Sequence, residues 1–317
     1  MTGLRSVHGA AAGALLLVLA GCGLAAAPSG SSSPALATVN GQSITTQDWK
    51  NAMNGLSVLG GQTLAATKAN EATQVQQLVV WKVLQEWALN HKYTTNASAT
   101  KSATKLIGQF QAQAGGAKKF KSVLKTYHLT MSTFEQFLAG QELLQAAFTH
   151  AVKNVPPPTA ASIKAYYKTN KAQYLTPTQD ELRMIVVKTD AEALKLENEL
   201  KGGASFAVLA KKYSTDKVTA ANGGQVGEVP QSTSTGAPSA LITVMEKLKT
   251  GQYGIADVSG SYYLIQVEKI TPASYASLKS VTSTIKTTLT QQTDNTVFQD
   301  FGQSLEAKAH VKLHLSS

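Results

Sequence analysis

The 317 residues exceed one average domain and fall short of three, and a 43% hydrophobic fraction is enough for a sizeable packed core. A mean hydropathy of -0.09 with one long apolar run excludes a polytopic membrane protein, and the same composition excludes disorder throughout. A single cysteine, Cys22, excludes a disulfide framework and multi-cysteine metal sites, while the net charge of +10 is a lysine charge, with arginine only at Arg5 and Arg183. Lysine lacks the bidentate fork that reads bases and phosphates, so this balance argues against nucleic acid and for a polyanionic neighbour such as a membrane face or cell-wall polymer.

Residues 1–21 carry Arg5, an apolar stretch over 10–20, and Leu19-Ala20-Gly21 just before Cys22. The stretch is too short to span about 30 Å of hydrocarbon and reads as a secretion signal. Residues 22–35, CGLAAAPSGSSSPA, read as a flexible tether. Residues 37–44 read as a strand, an Asn40-Gly41 turn and a second strand. Thr45 and Asp48 have capping-box spacing ahead of a helix containing Trp49 and Met53. A second helix, near 72–90, places Val80, Val83, Leu84 and Trp87 on one buried stripe. Residues 101–125, rich in Lys, Gln and Ala around Gly115-Gly116, are expected to form a mobile hairpin of helices. A further helix starts at Ser132, with Glu135 three residues on, and turns Phe134, Phe137, Leu138 and Phe148 to the core.

Val155-Pro156-Pro157-Pro158 ends this block, because proline removes donors and fixes the backbone. A linker helix over 160–174 carries Ile163, Tyr166, Tyr167 and Tyr174. The period then changes. Residues 181–188 alternate and are β-branched, with Leu182, Met184 and Val186 on one strand face. Ala193, Leu196 and Leu200 mark a helix that stops at Gly202-Gly203, and Phe206, Leu209, Ala210 and Tyr213 mark another. A polar loop over 214–222 leads to Gly223-Gly224, where special backbone angles are needed, and to a short strand over 225–229. A helix over 238–249, a strand over 261–269 with Tyr263, Ile265 and Val267, and a helix over 277–306 follow. The alternating 309–315 forms a last strand, with Val311, Leu313 and Leu315 inward and His310 and His314 outward.

Leu-Ala-Gly-Cys22 resembles the lipobox of bacterial lipoproteins, which implies a lipidated Cys22 at the outer face of the cell membrane. The run Phe206-Ala-Val-Leu-Ala-Lys-Lys-Tyr-Ser-Thr-Asp216, the Gly223-Gly-Gln-Val-Gly227 that follows it, and Leu248-Lys-Thr-Gly251-Gln before a closing strand resemble a parvulin-type peptidyl-prolyl isomerase. With the Val39-Asn-Gly-Gln opening and the Tyr166-Tyr167 approach helix, nearly the whole mature chain resembles the PrsA-type foldase lipoproteins, relatives of periplasmic SurA.

The fold this implies is α+β. A discontinuous helical SurA-like chaperone lobe holds an inserted parvulin domain, itself FKBP-like with an antiparallel sheet. The boundaries are a signal peptide (1–21), a tether (22–35), the helical lobe (36–155), a linker helix (156–177), the parvulin domain (178–272), and a C-terminal helix and strand (273–317) that return to the lobe. There the Val39 and Val311 strands are candidates for pairing. Partners would be unfolded or partly folded secreted polypeptides and the membrane; a homodimer is left open.

Rotation about a prolyl bond crosses roughly 18–20 kcal/mol and breaks no bond, so it needs only an apolar slot for the ring and a polar group that favours the twisted amide. No metal and no cofactor are implied. The resemblance assigns the polar role near the substrate carbonyl to Asp216, and the slot to Leu241 and Met245, with Gln225 and Val229 beside it. Two site histidines usual in active parvulins read Met184 and Tyr263 here, and no histidine occurs between His150 and His310. Tyr263 retains a hydroxyl; Met184 offers only a weak acceptor. An isomerase and a non-catalytic holdase therefore stand side by side. A hydrolase elbow, a phosphate loop and a metal-binding histidine pair find no support in the pattern.

Overall fold

The computed structural model describes residues 33–232 and 236–315, so Cys22 and the expected signal lie outside the described residues. The chain divides into two compact units: one runs up to Pro157 and resumes at Thr288, the other is Pro158–Thr287.

The first unit opens with a hairpin of β1 (Ala35–Val39) and β2 (Gln42–Thr45). Asn40 and Gly41 both have positive φ, 49° and 85°, which matches the twist of the flanking strands. Thr45 caps α1 (Thr46–Gly60) with the expected reciprocal bonds to Asp48. The stripe expected on α2 (Lys68–Asn90) is too narrow. Val75, Leu78, Val79, Trp81, Val83, Leu84 and Ala88 are all buried and Val80 and Trp87 are half-buried, because α2 is the central helix, covered from several sides.

Residues 101–125 form two regular helices, α3 (Asn96–Gln113) and α4 (Ala117–Thr126), joined through Gly115-Gly116 at φ 79° and 115°. Phe110 stacks on Phe120 at 5.9 Å and holds the pair together. The start of α5 (Met131–Val152) differs from expectation: Thr130 is the cap, reciprocally bonded to Thr133, and Glu135 instead accepts from Thr104 on α3 at 2.6 Å. α5 packs on α1 so closely that a Cβ on Gly55 would lie 2.6 Å from the Phe137 ring.

The second unit begins with α6 (Ala160–Thr169), followed by a 3-10 turn, Lys171–Tyr174, where the sequence reads as one continuous helix. β3 (Leu175–Thr176) leads to β4 (Gln179–Val187), α7 (Asp190–Lys201), α8 (Phe206–Tyr213) and α9 (Lys217–Ala221), the last a short helix inside the expected polar loop. Then come β5 (Gln225–Pro230), α10 (Ser239–Met245), β6 (Tyr253–Val258), β7 (Ser261–Thr271) and β8 (Ser274–Tyr275). The four long strands form an antiparallel sheet in the order β5-β4-β7-β6, and β3 pairs with β8 in a separate ribbon. α7 and α8 cover one face of the sheet and α10 the other.

α11 (Leu278–Glu306) is a single helix, and the division between units falls inside it, at Thr288, rather than before residue 273. Phe298 and Phe301 join the core of the first unit, and Gly302 lets α11 approach Val80 and Leu84 of α2. β9 (Val311–Leu313) then pairs with β1, Val39 opposite Val311, so β1 becomes the middle strand of three. Leu313 is 48% exposed rather than inward, because β9 is an edge strand with little packed over that end.

Candidate functional site

Alternation along β4 and β7 puts Leu182, Met184 and Val186 on one face with Tyr263, Ile265 and Val267. Val186 lies opposite Tyr263 and Met184 opposite Ile265, so Met184 and Tyr263 are diagonal neighbours on that face. α10 lays Leu241, Ile242 and Met245 over it. Met245 has no exposed surface and Leu241 is buried too, which makes them part of the floor of any slot rather than its wall. Val229 packs against the same cluster. Gln225 does not: it lies opposite Arg183, on the other side of the sheet from Met184, and is exposed.

Asp216 directly follows a clasp on β4. β5 pairs only as far as Arg183, and beyond it the edge of β4 needs other partners. The Met184 N–H donates to Gly224 O at 2.8 Å, the Val186 N–H donates to Ser214 Oγ at 3.1 Å, and Thr215 donates through both N and Oγ1 to Val186 O at 2.7 and 3.0 Å. Ser214 is fully buried by this role. The next residue, Asp216, is therefore held beside Val186, whose cross-strand partner is Tyr263. Its carboxylate caps α9, accepting from Val218 N at 3.1 Å and Thr219 Oγ1 at 2.7 Å, and it stays half-exposed. The Tyr-Ser-x-Asp spacing carries this signal in the sequence, since two successive hydroxyl residues there supply one strand residue with an acceptor and, counting the Thr215 N–H, two donors.

Two features escape sequence reading. β6 contributes Gly254, where a Cβ would lie 2.6 Å from Val244 and 3.1 Å from Leu248, so this glycine sets how closely α10 approaches the sheet. Its signal is the alternation of Tyr253 and Ile255 with Ala256 and Val258 before the Ser259-Gly260 turn, whose two residues both have positive φ. The other is Asp180, fully buried on β4 between Val229 and Ile270. Its Oδ2 accepts from Gln231 Nε2 at 2.9 Å and its Oδ1 has no partner. Burial lifts this carboxyl above the usual carboxylate range, and the Gln231 hydrogen bond opposes the lift.

The folded state thus holds the Asp180 proton more tightly than the unfolded chain. The associated stability is present below the unfolded value of about 4 and is lost as pH rises through the folded value. Asp180→Asn removes the buried charge, so it is expected to raise the thermal midpoint of the second unit by ~3 °C at pH 8. The gain should shrink towards pH 4. Calorimetry over that range checks it, and a gain independent of pH would mean the charge is not the cause.

The family described as PPIC-type PPIASE domain matches residues 158–283, and the family described as SurA-like N-terminal domain matches residues 6–147. Foldase protein PrsA 1 of Listeria innocua is 31% identical over 287 residues, 88% of this chain and 81% of that protein. Foldase protein PrsA of Latilactobacillus sakei is 33% identical over 257 residues, 80% of this chain and 72% of that protein. Among solved structures, a SurA-like chaperone of Campylobacter jejuni is 22% identical, covers 88% of this chain and 99% of its own, and superposes with a TM-score of 0.49.

Proposed function

Since the chain belongs to the PrsA foldase family, we propose that it is an extracytoplasmic foldase of secreted polypeptides whose second unit binds prolyl segments and turns the prolyl bond. The observation that supports this reading is an apolar face that carries Met184 and Tyr263 beside Leu241, together with Asp216, which directly follows the Ser214-Thr215 clasp on Val186 of the same strand β4. In a planar amide the carbonyl oxygen carries partial negative charge, and twisting the C–N bond removes it. A carboxylate beside that oxygen therefore repels the planar ground state more than the twisted transition state, which is the differential that accelerates a reaction. In this reading the Tyr263 hydroxyl donates to the nitrogen lone pair that twisting exposes. Leu-Ala-Gly-Cys22 supports attachment through a lipidated Cys22 to the outer face of the cell membrane, and among the described residues no helix is long and apolar enough to cross one.

A second reading, a holdase that binds without turnover, is favoured by one observation: both Asp216 oxygens are engaged in capping α9. Isomerase kinetics on a panel of prolyl peptides separate the two. Asp216→Ala is expected to lower kcat/KM by about tenfold or more. Asp216→Asn keeps an acceptor for the cap but loses the charge, so it should fall almost as far with unchanged stability. No turnover by the folded wild-type chain would leave the holdase reading, and full activity in Asp216→Asn would remove the charge from the mechanism.

A further inference from the structure

Between Glu86 and Glu135 the sequence holds no acidic residue, yet it carries Lys92, Lys101, Lys105, Lys118, Lys119, Lys121 and Lys125. This one stretch supplies seven of the ten net positive charges, and the rest of the chain is close to balanced. All seven lysines are exposed, and among the described residues none of them takes part in an ion pair.

The fold carries six of these charges, all but Lys92, on one hairpin. α3 buries Ala99, Ala103 and Ile107, which turns Lys101 and Lys105 to its opposite face, one turn apart. α4 buries Phe120 and Leu124, and the i, i+3, i+7 spacing of Lys118, Lys121 and Lys125 makes a single stripe on its outer side. The acids on α5 that touch the hairpin are bonded to its hydroxyls rather than to its lysines: Glu135 accepts from Thr104 and Glu142 from Ser102.

We propose that the α3–α4 hairpin docks on an anionic phospholipid surface. A polypeptide client needs apolar contact, and the large apolar side chains of the hairpin, Phe110, Phe120 and Leu124, are turned into its own core. Lysines are compact, strongly hydrated charges, suited to a diffuse layer of headgroups rather than to bidentate recognition of one group. A plane engages the α4 stripe and the α3 pair together without a groove to thread. Catalysis by the second unit has no part in this contact.

The test is sedimentation of the chain from residue 22 onward, with Cys22→Ser so that no acyl chain contributes, with vesicles of phosphatidylcholine and phosphatidylglycerol in a roughly 2:1 ratio. Binding is expected near 0.05 M salt and should fade by about 0.5 M as charges are screened. Lys118/Lys121/Lys125→Gln should lower the partition coefficient by about 100-fold, roughly fivefold per lysine. The same three changed to Arg should keep it. Lys164/Lys279/Lys286→Gln, an exposed triple of equal charge outside the hairpin, should change it by less than about twofold. Equal losses in the two glutamine triples, no binding of the parent chain at low salt, or binding of soluble polyphosphate without binding of vesicles would each overturn the proposal.

Discussion

Gly224→Ala is expected to lower the thermal transition of the second unit by ~10 °C while leaving that of the helical unit in place. Two penalties add at this position. Gly224 sits at φ +85°, a region that costs an alanine about 1 kcal/mol. A Cβ there would also lie 2.8 Å from Met184 O and 2.8 Å from the Phe206 ring. Met184 O belongs to an inner strand of the sheet, and Phe206, the first residue of α8, is buried, so neither can retreat cheaply. Relief requires lengthening the Met184 N–H bond to Gly224 O, which ties β4 to the glycine turn. Together the penalties come to ~3 kcal/mol. Gly227→Ala separates them: it has φ +92° but nothing within 4 Å of its Cβ, so it should cost only the backbone share. Equal shifts for the two variants would show that the contact at Gly224 relaxes freely.

Removing residues 309–317 is expected to lower the transition of the helical unit by a similar ~10 °C, corresponding to ~3–5 kcal/mol. β1 is fully buried at Ala37 and Val39, and without β9 one of its edges would face water. The deletion removes the bonds from Asn40 N to His310 O and from His314 N to Leu36 O, both 2.9 Å, and the His310 N–H donation to Asn40 Oδ1 at 3.0 Å. It also strips Val311 and Leu315 from the edge of the core. Calorimetry resolves this from the second unit, whose transition should not move. An unchanged helical transition would mean that β1 and β2 close the unit without β9.

The features legible in the sequence are those decided within a few residues. Asn40-Gly41 prescribes a turn by the conformations its two residues tolerate, and Thr45 with Asp48 prescribes a helix start because the reciprocal bonds close over three residues. The ordered run from Phe206 to Asp216 and on to Gly227 marked the site through its resemblance to parvulins, while the bonds that tie Ser214, Thr215 and Gly224 to Met184 and Val186 of β4 join distant parts of the chain. The Val39–Val311 pairing was within reach because each segment alternates and the resemblance to SurA implied that the C-terminal strand returns to the lobe.

Tertiary structure decided what depends on distant partners. Glu135, the expected capping partner of Ser132, instead accepts from Thr104 of α3, a contact no local pattern contains, while Thr130 caps α5 with Thr133. Gln225 leaves the apolar face because the bulge between Leu182 and Arg183 sets the β5 register there, and a one-residue change of register reverses which side a residue faces. The burial of Asp180 and the close approach at Gly254 are likewise invisible along the chain, for desolvation and steric contact are imposed by strands and helices that meet only after folding. The sequence by itself determined the turns, the caps and the order of elements, whose energies are local. Register, burial and the surroundings of each polar group were left to the packed fold, because those energies arise between segments far apart in the chain.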